Sequence, residues 1–126
     1  MNEIGPLMTK INGYVSEIMV MEGVLACAIV STEGQIIGKS DSSQAPSPFL
    51  GITGATMFAS AEAACSTFHI SAPDYILMET KNKDGLILVK SAGPKNLIAT
   101  IITNTANISK IREDISLVSD MLAEEL

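Results

Sequence analysis

The sequence predicts a single α/β domain over residues 1–126, in the order helix, two strands, helix, three strands, helix. Apolar residues recur at three- and four-residue spacing near both ends of the chain, which is typical of amphipathic helices. Five short apolar runs are separated by turn residues, which indicates strands. A longer middle segment begins with Ser-Pro, which favours the start of a helix. A chain of 126 residues can bury a core without disulfide bonds.

The composition narrows the classes of protein to which the chain can belong. Hydrophobic residues make up 47% of it, which argues against disorder. The net charge of −6 disfavours binding to nucleic acid or to an anionic membrane surface. No segment has the pattern of a signal peptide. Cys27 and Cys65 lie in apolar stretches, so we expect buried thiols rather than a disulfide, in a cytoplasmic protein without membrane insertion.

The first helix is predicted over residues 2–22, followed by a β-hairpin. The apolar stripe of this helix contains Ile4, Leu7, Ile11, Tyr14, Ile18 and Met21. Pro6 fits the first turn, where a missing N–H breaks no hydrogen bond, and Gly23 fits a left-handed position that ends the helix. The apolar runs 24–31 and 35–39 are joined by a glycine-containing turn, which predicts the hairpin, and a polar loop follows.

The second half of the chain predicts a helix, three strands and a closing helix. The central helix begins at Ser47 and ends near His69. The strands are predicted at residues 75–80, 86–91 and 97–103. Asp84 and Gly85 favour a hairpin turn, and the last helix begins near Asn107. Because the last two strands are apolar on both faces, we expect the sheet to be covered on both sides.

The central helix lacks a polar side. Glu62 is the only charged residue between positions 47 and 68. On a helical wheel one broad arc carries most of the bulk, and we expect it to face the sheet: Leu50, Gly54, Met57, Phe58, Ala61, Cys65 and Phe68. The reverse side carries small residues four positions apart, namely Gly51, Ala55, Ala59 and Ala63, flanked by Ile52, Thr56, Glu62 and Ser66.

A helix that is apolar all round is normally buried all round. The other two helices are needed on the far face of the sheet, so we expect a second chain to cover the small residues, most simply in a two-fold homodimer. Small residues at this spacing let two helices approach closely. Two alternatives remain: an exposed Ala- and Gly-rich helix in a monomer, and a membrane span, against which Glu62 and the hydroxyl groups count.

The order and spacing of several segments resemble the Roadblock / dynein light chain family over nearly the whole chain. They are residues 22–24, 30–38 and 83–90, the small-residue central helix, and the passage from LIATIIT into the last helix. The resemblance implies a five-stranded antiparallel sheet with one helix on one face and two on the other. It also implies dimers in which the middle helices pair and the sheets join through their third strands. Tyr75, Leu77 and Glu79 are therefore candidates for the sheet junction.

The resemblance further implies a function. Members of the family are not enzymes but scaffolds or regulators of small Ras-like GTPases, and a bacterial relative activates a polarity GTPase. We therefore expect a non-catalytic dimeric scaffold or regulator, prokaryotic and without cofactors. A second hypothesis is a small-molecule-binding sensor, because longin- and profilin-like folds share the layered plan. Phe58, Phe68 and several methionines would leave such a sensor little room for a ligand between helix and sheet.

The sequence offers few residues for catalysis or metal binding. Cys27, Cys65 and His69 give at most three ligands and no Cys-x-x-Cys pair, so no metal site is expected. A thiol enzyme using Cys65 and His69 is a third hypothesis. Contact with the sheet would bury the Cys65 thiol, however, and make it unreactive. No phosphate-loop motif occurs. Arg112 and Lys95 could face a GTPase, and we expect Arg112 to form a surface ion pair beside Glu113, so no catalytic residue is assigned.

Overall fold

The computed structural model describes residues 4–41 and 47–126, and it contains the predicted order of helices and strands. The elements are α1 (Ile4–Met19), β1 (Val24–Ser31), β2 (Ile36–Lys39), α2 (Ser47–Thr67), β3 (Tyr75–Glu79), β4 (Leu86–Ser91), β5 (Asn96–Ile102) and α3 (Ile108–Glu125). Leaving aside the two ends of α1, the boundaries lie within two residues of the predicted ones. Residues 2 and 3 of the predicted first helix and most of the predicted loop at 39–47 lie outside the described residues.

α1 ends three residues earlier than predicted, and Gly23 reverses the chain after it. Gly23 has the predicted left-handed backbone, with φ of +100°, and a Cβ there would collide with the Cβ of Ala106. Its carbonyl oxygen accepts a hydrogen bond of 2.8 Å from the backbone N–H of Thr103. Asn107 caps α3, because its side-chain oxygen accepts from the backbone N–H of Lys110 at 3.1 Å. The reversal therefore ties the end of α1 to the start of α3.

The strands form one five-stranded antiparallel sheet, as the family resemblance implies, and their order in the sheet is β2-β1-β5-β4-β3. β1 and β5 are central, whereas β2 and β3 are the edges. Central strands are covered on both faces, which explains why every residue from 26 to 30 is buried.

α2 covers one face of the sheet, and α1 and α3 cover the other, so the predicted arrangement of one helix against two is confirmed. The core under α1 and α3 is built from large aliphatic side chains, among them Ile11, Ile18, Ile29, Leu88, Ile115 and Leu122. The core under α2 combines Leu50 and Phe58 with small residues of the central strands, Ala26, Ala28 and Ala99.

Glycine residues bring α2 close to the sheet. A Cβ at Gly54 would lie 2.8 Å from the Cβ of Ala99, and a Cβ at Gly51 would lie 2.8 Å from Cγ1 of Val30. Carbon atoms that are not bonded to each other do not lie so close together, so one of them would have to shift. α2 therefore packs on the sheet with its own backbone, and the gap between them has no room for a further methyl group at these positions.

Candidate interaction surface on α2 and β3

The outward side of α2 is uncovered and carries mainly apolar, small and hydroxyl side chains. Phe49 and Ile52 are 68% and 60% exposed, and Ala59 and Ala63 are exposed further along the same side. These residues follow the three- and four-residue spacing that keeps side chains on one side of a helix. Glu62, also exposed, is the only charged residue of α2.

The four small residues predicted to face away from the sheet do not share one side of α2. Gly51 and Ala55 are buried against the sheet, whereas Ala59 and Ala63 are exposed, so the prediction for the first two is wrong. Residues four apart advance by about 40° beyond a full turn, so such a row winds around the helix by about 120° over three steps. Gly51 and Ala55 therefore belong to the core of their own chain. The outward side includes positions 49, 52, 56, 59 and 63, with exposed Thr53, Ser60 and Glu62 beside them.

The last turn of α2 has little cover from the sheet. Phe68 was predicted to face the sheet and fill the core, but it is 75% exposed, so this prediction is wrong. Cys65, predicted to be buried, is half-buried, and Glu62 and Ser66 are exposed. A helical wheel assumes that the sheet underlies the whole helix, whereas here the cover stops before Phe68. Ile70, just beyond the helix, extends the exposed apolar surface.

β3 forms the second part of the surface. It pairs with β4 on one side and has no other partner among the described residues. Tyr75 and Glu79 are exposed, and Leu77 is half-buried against the core under α1 and α3. α2 and β3 contact each other, so the free strand edge adjoins the apolar side of the helix. We call these two parts together the α2–β3 surface.

Two cationic side chains, Arg112 and Lys90, contact residues at the start of β3. Nη1 of Arg112 donates a 2.7 Å hydrogen bond to the hydroxyl of Tyr75, and its guanidinium carbon lies 5.0 Å from the centre of the tyrosine ring. The expected ion pair of Arg112 with its neighbour in sequence is therefore not the contact observed. Nζ of Lys90 lies 2.8 Å from Oδ1 of Asp74. Lys95 is exposed in the turn between β4 and β5.

The two thiols and the histidine do not come together. Cys27 lies in the core under α1 and α3, whereas Cys65 lies on α2 across the sheet, and both are free thiols. Burial raises the pKa of Cys27 to about 12. His69 is exposed just beyond the end of α2. Among residues 4–41 and 47–126, no three metal-ligating side chains lie close enough together to hold an ion.

One alternative for α2 was a membrane span, which requires a long and strongly apolar helix. None of the helices in the described parts of the chain combines the length and the apolar character that crossing a membrane requires.

Comparisons with known proteins bear on the fold. No protein-family model matches the sequence, and no curated protein matches it. MglB from Myxococcus xanthus superimposes with a TM-score of 0.84 at 17% sequence identity, over 98% of this chain and 90% of that one. The gliding protein MglB from Thermus thermophilus gives 0.81 at 15% identity, over 94% and 90%. A Roadblock/LC7 domain from Streptomyces avermitilis gives 0.78 at 12% identity, over 89% and 93%.

Proposed function

Since the chain has the Roadblock/LC7 fold, as its sequence resemblance implies, we propose that residues 1–126 act as one Roadblock-like domain that forms a homodimer and regulates or scaffolds a small Ras-like GTPase. In this proposal the domain is not an enzyme, and the dimer acts by ordering the switch loops of the GTPase itself. The observation that carries the proposal is the α2–β3 surface, an uncovered helix side with exposed Phe49 and Ile52 beside a free strand edge.

The two parts of this surface need a partner for different reasons. The side of α2 with Ile52, Ala59 and Ala63 exposes apolar area to water, and the two small residues let a second helix approach closely. The edge of β3 leaves backbone N–H and C=O groups without strand partners. A second copy, related by a two-fold axis, satisfies both needs if β3 pairs with β3 and α2 packs on α2. Tyr75, Leu77 and Glu79 then lie at the sheet junction.

The fold and the charge both support a GTPase as the partner of this dimer. Proteins of similar structure carry the names MglB and Roadblock/LC7, and the sequence resemblance implies regulation of small Ras-like GTPases. The net charge of −6 favours a partner with a basic surface, because complementary charge speeds encounter. We place this regulator in the cytoplasm of a prokaryote.

A small-molecule sensor with its ligand between α2 and the sheet is the weaker hypothesis. The close approach of Gly51 and Gly54 to the central strands leaves no space at that position for a ligand. The exposure of Phe68 does not open such a space, because this residue lies beyond the cover of the sheet.

The homodimer is tested by the molar mass in solution. We expect a mass of twice 13.3 kDa for the natural chain, and a single-chain mass for Ala59→Glu, which introduces a charge into the apolar contact. Ala123→Glu is the matched control, because it makes the same change at an exposed position of α3 and should leave the dimer intact. A natural chain that is monomeric at micromolar concentration would contradict the homodimer.

The GTPase partner is tested by titration with the Ras-like proteins of the same genome, each loaded with GDP or with a GTP analogue. We expect one of them to bind in at least one nucleotide state, and binding to weaken in Ala59→Glu if the composite surface of the dimer makes the contact. If the dimer forms but no Ras-like protein binds, the partner is wrong although the assembly is right.

A further inference from the structure

A groove lies between α1 and α3 on the face of the sheet opposite to α2. Its volume is about 780 Å³, within the range of natural binding sites. The end of α1, the chain reversal at Gly23, the turn before α3 and one side of α3 form its walls. We call it the α1–α3 groove. The function proposed above does not use it.

The walls of the α1–α3 groove expose large apolar side chains. Val20 is 82% exposed and Leu117 is 63% exposed, and Met121 beside them is exposed as well. Isolated exposed hydrophobic residues are ordinary on protein surfaces. These three line one depression, however, and its floor includes the buried side chains of Ile111 and Val118. The groove therefore suits a partner that contributes apolar side chains.

The rim of the groove carries an excess of negative charge. Glu17, Glu22 and Asp114 line it, against a single cation, Lys110. Lys110 is already paired with Asp114, with 3.3 Å between the charged atoms, and neither glutamate forms an ion pair with any described residue. The carboxylates of Glu17 and Glu22 can therefore pair with cationic groups of a partner.

The backbone around the groove restricts how a partner can bind. Neither edge strand, β2 or β3, contributes a residue to the lining of the groove, so the groove offers no free strand edge. An extended peptide could not add a strand here. The mode that suits the exposed apolar side chains of these walls is an amphipathic helix that lays its apolar side into the groove.

We propose that the α1–α3 groove is a docking site for a cationic amphipathic helix of another protein. Apolar side chains three and four positions apart on that helix pack against Val20, Leu117 and Met121, and its lysine or arginine side chains face Glu17 and Glu22. A second copy related by a two-fold axis does not fit as the occupant, because it would bring the same carboxylates to the rim. The α2–β3 surface instead offers exposed apolar helix residues beside a free strand edge, so the two surfaces select different partners.

The proposal is tested with three fluorescein-labelled peptides of 18 residues. The first places leucines at positions i, i+3, i+4 and i+7 between lysines and arginines. The second has the same leucines but glutamates for every cation, and the third has the composition of the first in an order that breaks the periodicity. We expect fluorescence anisotropy to show binding of the first peptide at least tenfold tighter than of the other two, and weakening as salt rises.

Variants of the protein locate the binding. The double variant Val20→Ser with Leu117→Ser should weaken binding of the first peptide at least tenfold, whereas Ile70→Ser, at an exposed residue outside the groove, should not. The variant Glu17→Gln with Glu22→Gln should weaken it and flatten its salt dependence. Its control, Glu33→Gln with Glu124→Gln, changes the net charge equally at exposed positions outside the groove.

Circular dichroism establishes that each variant is folded, so a loss of peptide binding cannot be attributed to unfolding. Equal binding of the periodic and scrambled peptides, or equal effects of the groove variants and their controls, would mean non-specific attraction and overturn the proposal. Tighter binding of the acidic peptide would overturn the charge argument. A lower molar mass of the groove variants would show that a second copy is the occupant. These results do not depend on whether a GTPase binds.

Discussion

Two cysteines with similar sequence surroundings have different environments. Cys27 and Cys65 both lie in apolar stretches, and the sequence predicts burial for both. In the fold, Sγ of Cys27 is enclosed by the core and lies 3.9 Å from the carbonyl oxygen of Val15, whereas Cys65 is half-buried on α2. Burial disfavours the thiolate, which is why the pKa of Cys27 rises. The difference could not be predicted because it depends on how far the sheet extends beneath α2.

The raised pKa of Cys27 predicts a loss of stability in alkali. Between pH 9.0 and about 12 the folded chain keeps the thiol proton while the unfolded chain releases it. The unfolded state then binds fewer protons, so the free energy of unfolding falls as pH rises, by roughly 1 kcal/mol at pH 10 relative to neutral pH. Urea denaturation at pH 7 to 10 should show this decline in the natural chain and in Cys65→Ala, and a smaller decline in Cys27→Ala. Parallel pH profiles of all three chains would contradict it.

At the scale of elements, α2 shows what a sequence pattern can and cannot supply. Its position in the chain and its start were predictable, because Ser47, Pro48 and the surrounding loop residues act locally. The face that meets the sheet was predicted correctly for Leu50, Gly54 and Phe58. It was wrong for Gly51 and Ala55, because a row at four-residue spacing winds around the helix, and the sheet is wide enough to cover the start of that row.

The close packing of α2 predicts opposite effects of one substitution at two helical glycines. Gly54→Ala should lower the free energy of unfolding by about 1–3 kcal/mol, because its Cβ would lie 2.8 Å from that of Ala99 and the helix must move. Gly13→Ala, in α1, meets nothing within 4 Å and should raise it by about 0.5–1 kcal/mol through helix propensity. Urea denaturation of both variants measures the two changes. Stabilisation by Gly54→Ala would mean that α2 does not sit as close to the sheet as described.

At the scale of the whole molecule, the sheet separates two unlike surfaces. The α2–β3 surface combines an exposed helix side with a free strand edge, and its candidates Ala59 and Tyr75 could be found from the helical wheel and the family resemblance. The α1–α3 groove could not be found in that way. Glu17 reaches it from α1, Val20 from the turn just after α1, and Leu117 from α3, and no local pattern shows that these residues meet. Residues beyond the apolar stripe of an amphipathic helix look like ordinary surface until the neighbouring helix is placed.

Separation of the two surfaces by a packed sheet predicts that each works without the other. Ala59→Glu should lose the dimer and yet bind the periodic cationic peptide with a dissociation constant within threefold of that of the natural chain. Conversely, saturation with that peptide should leave two protein chains per particle, because the groove lies across the sheet from α2.

Linked sites change each other's affinity reciprocally, so any coupling free energy between dimer formation and peptide binding must appear in both measurements. Sedimentation with and without peptide, and anisotropy with both chains, test the two directions. A tenfold loss of peptide affinity in a folded Ala59→Glu monomer would show that the dimer completes the groove.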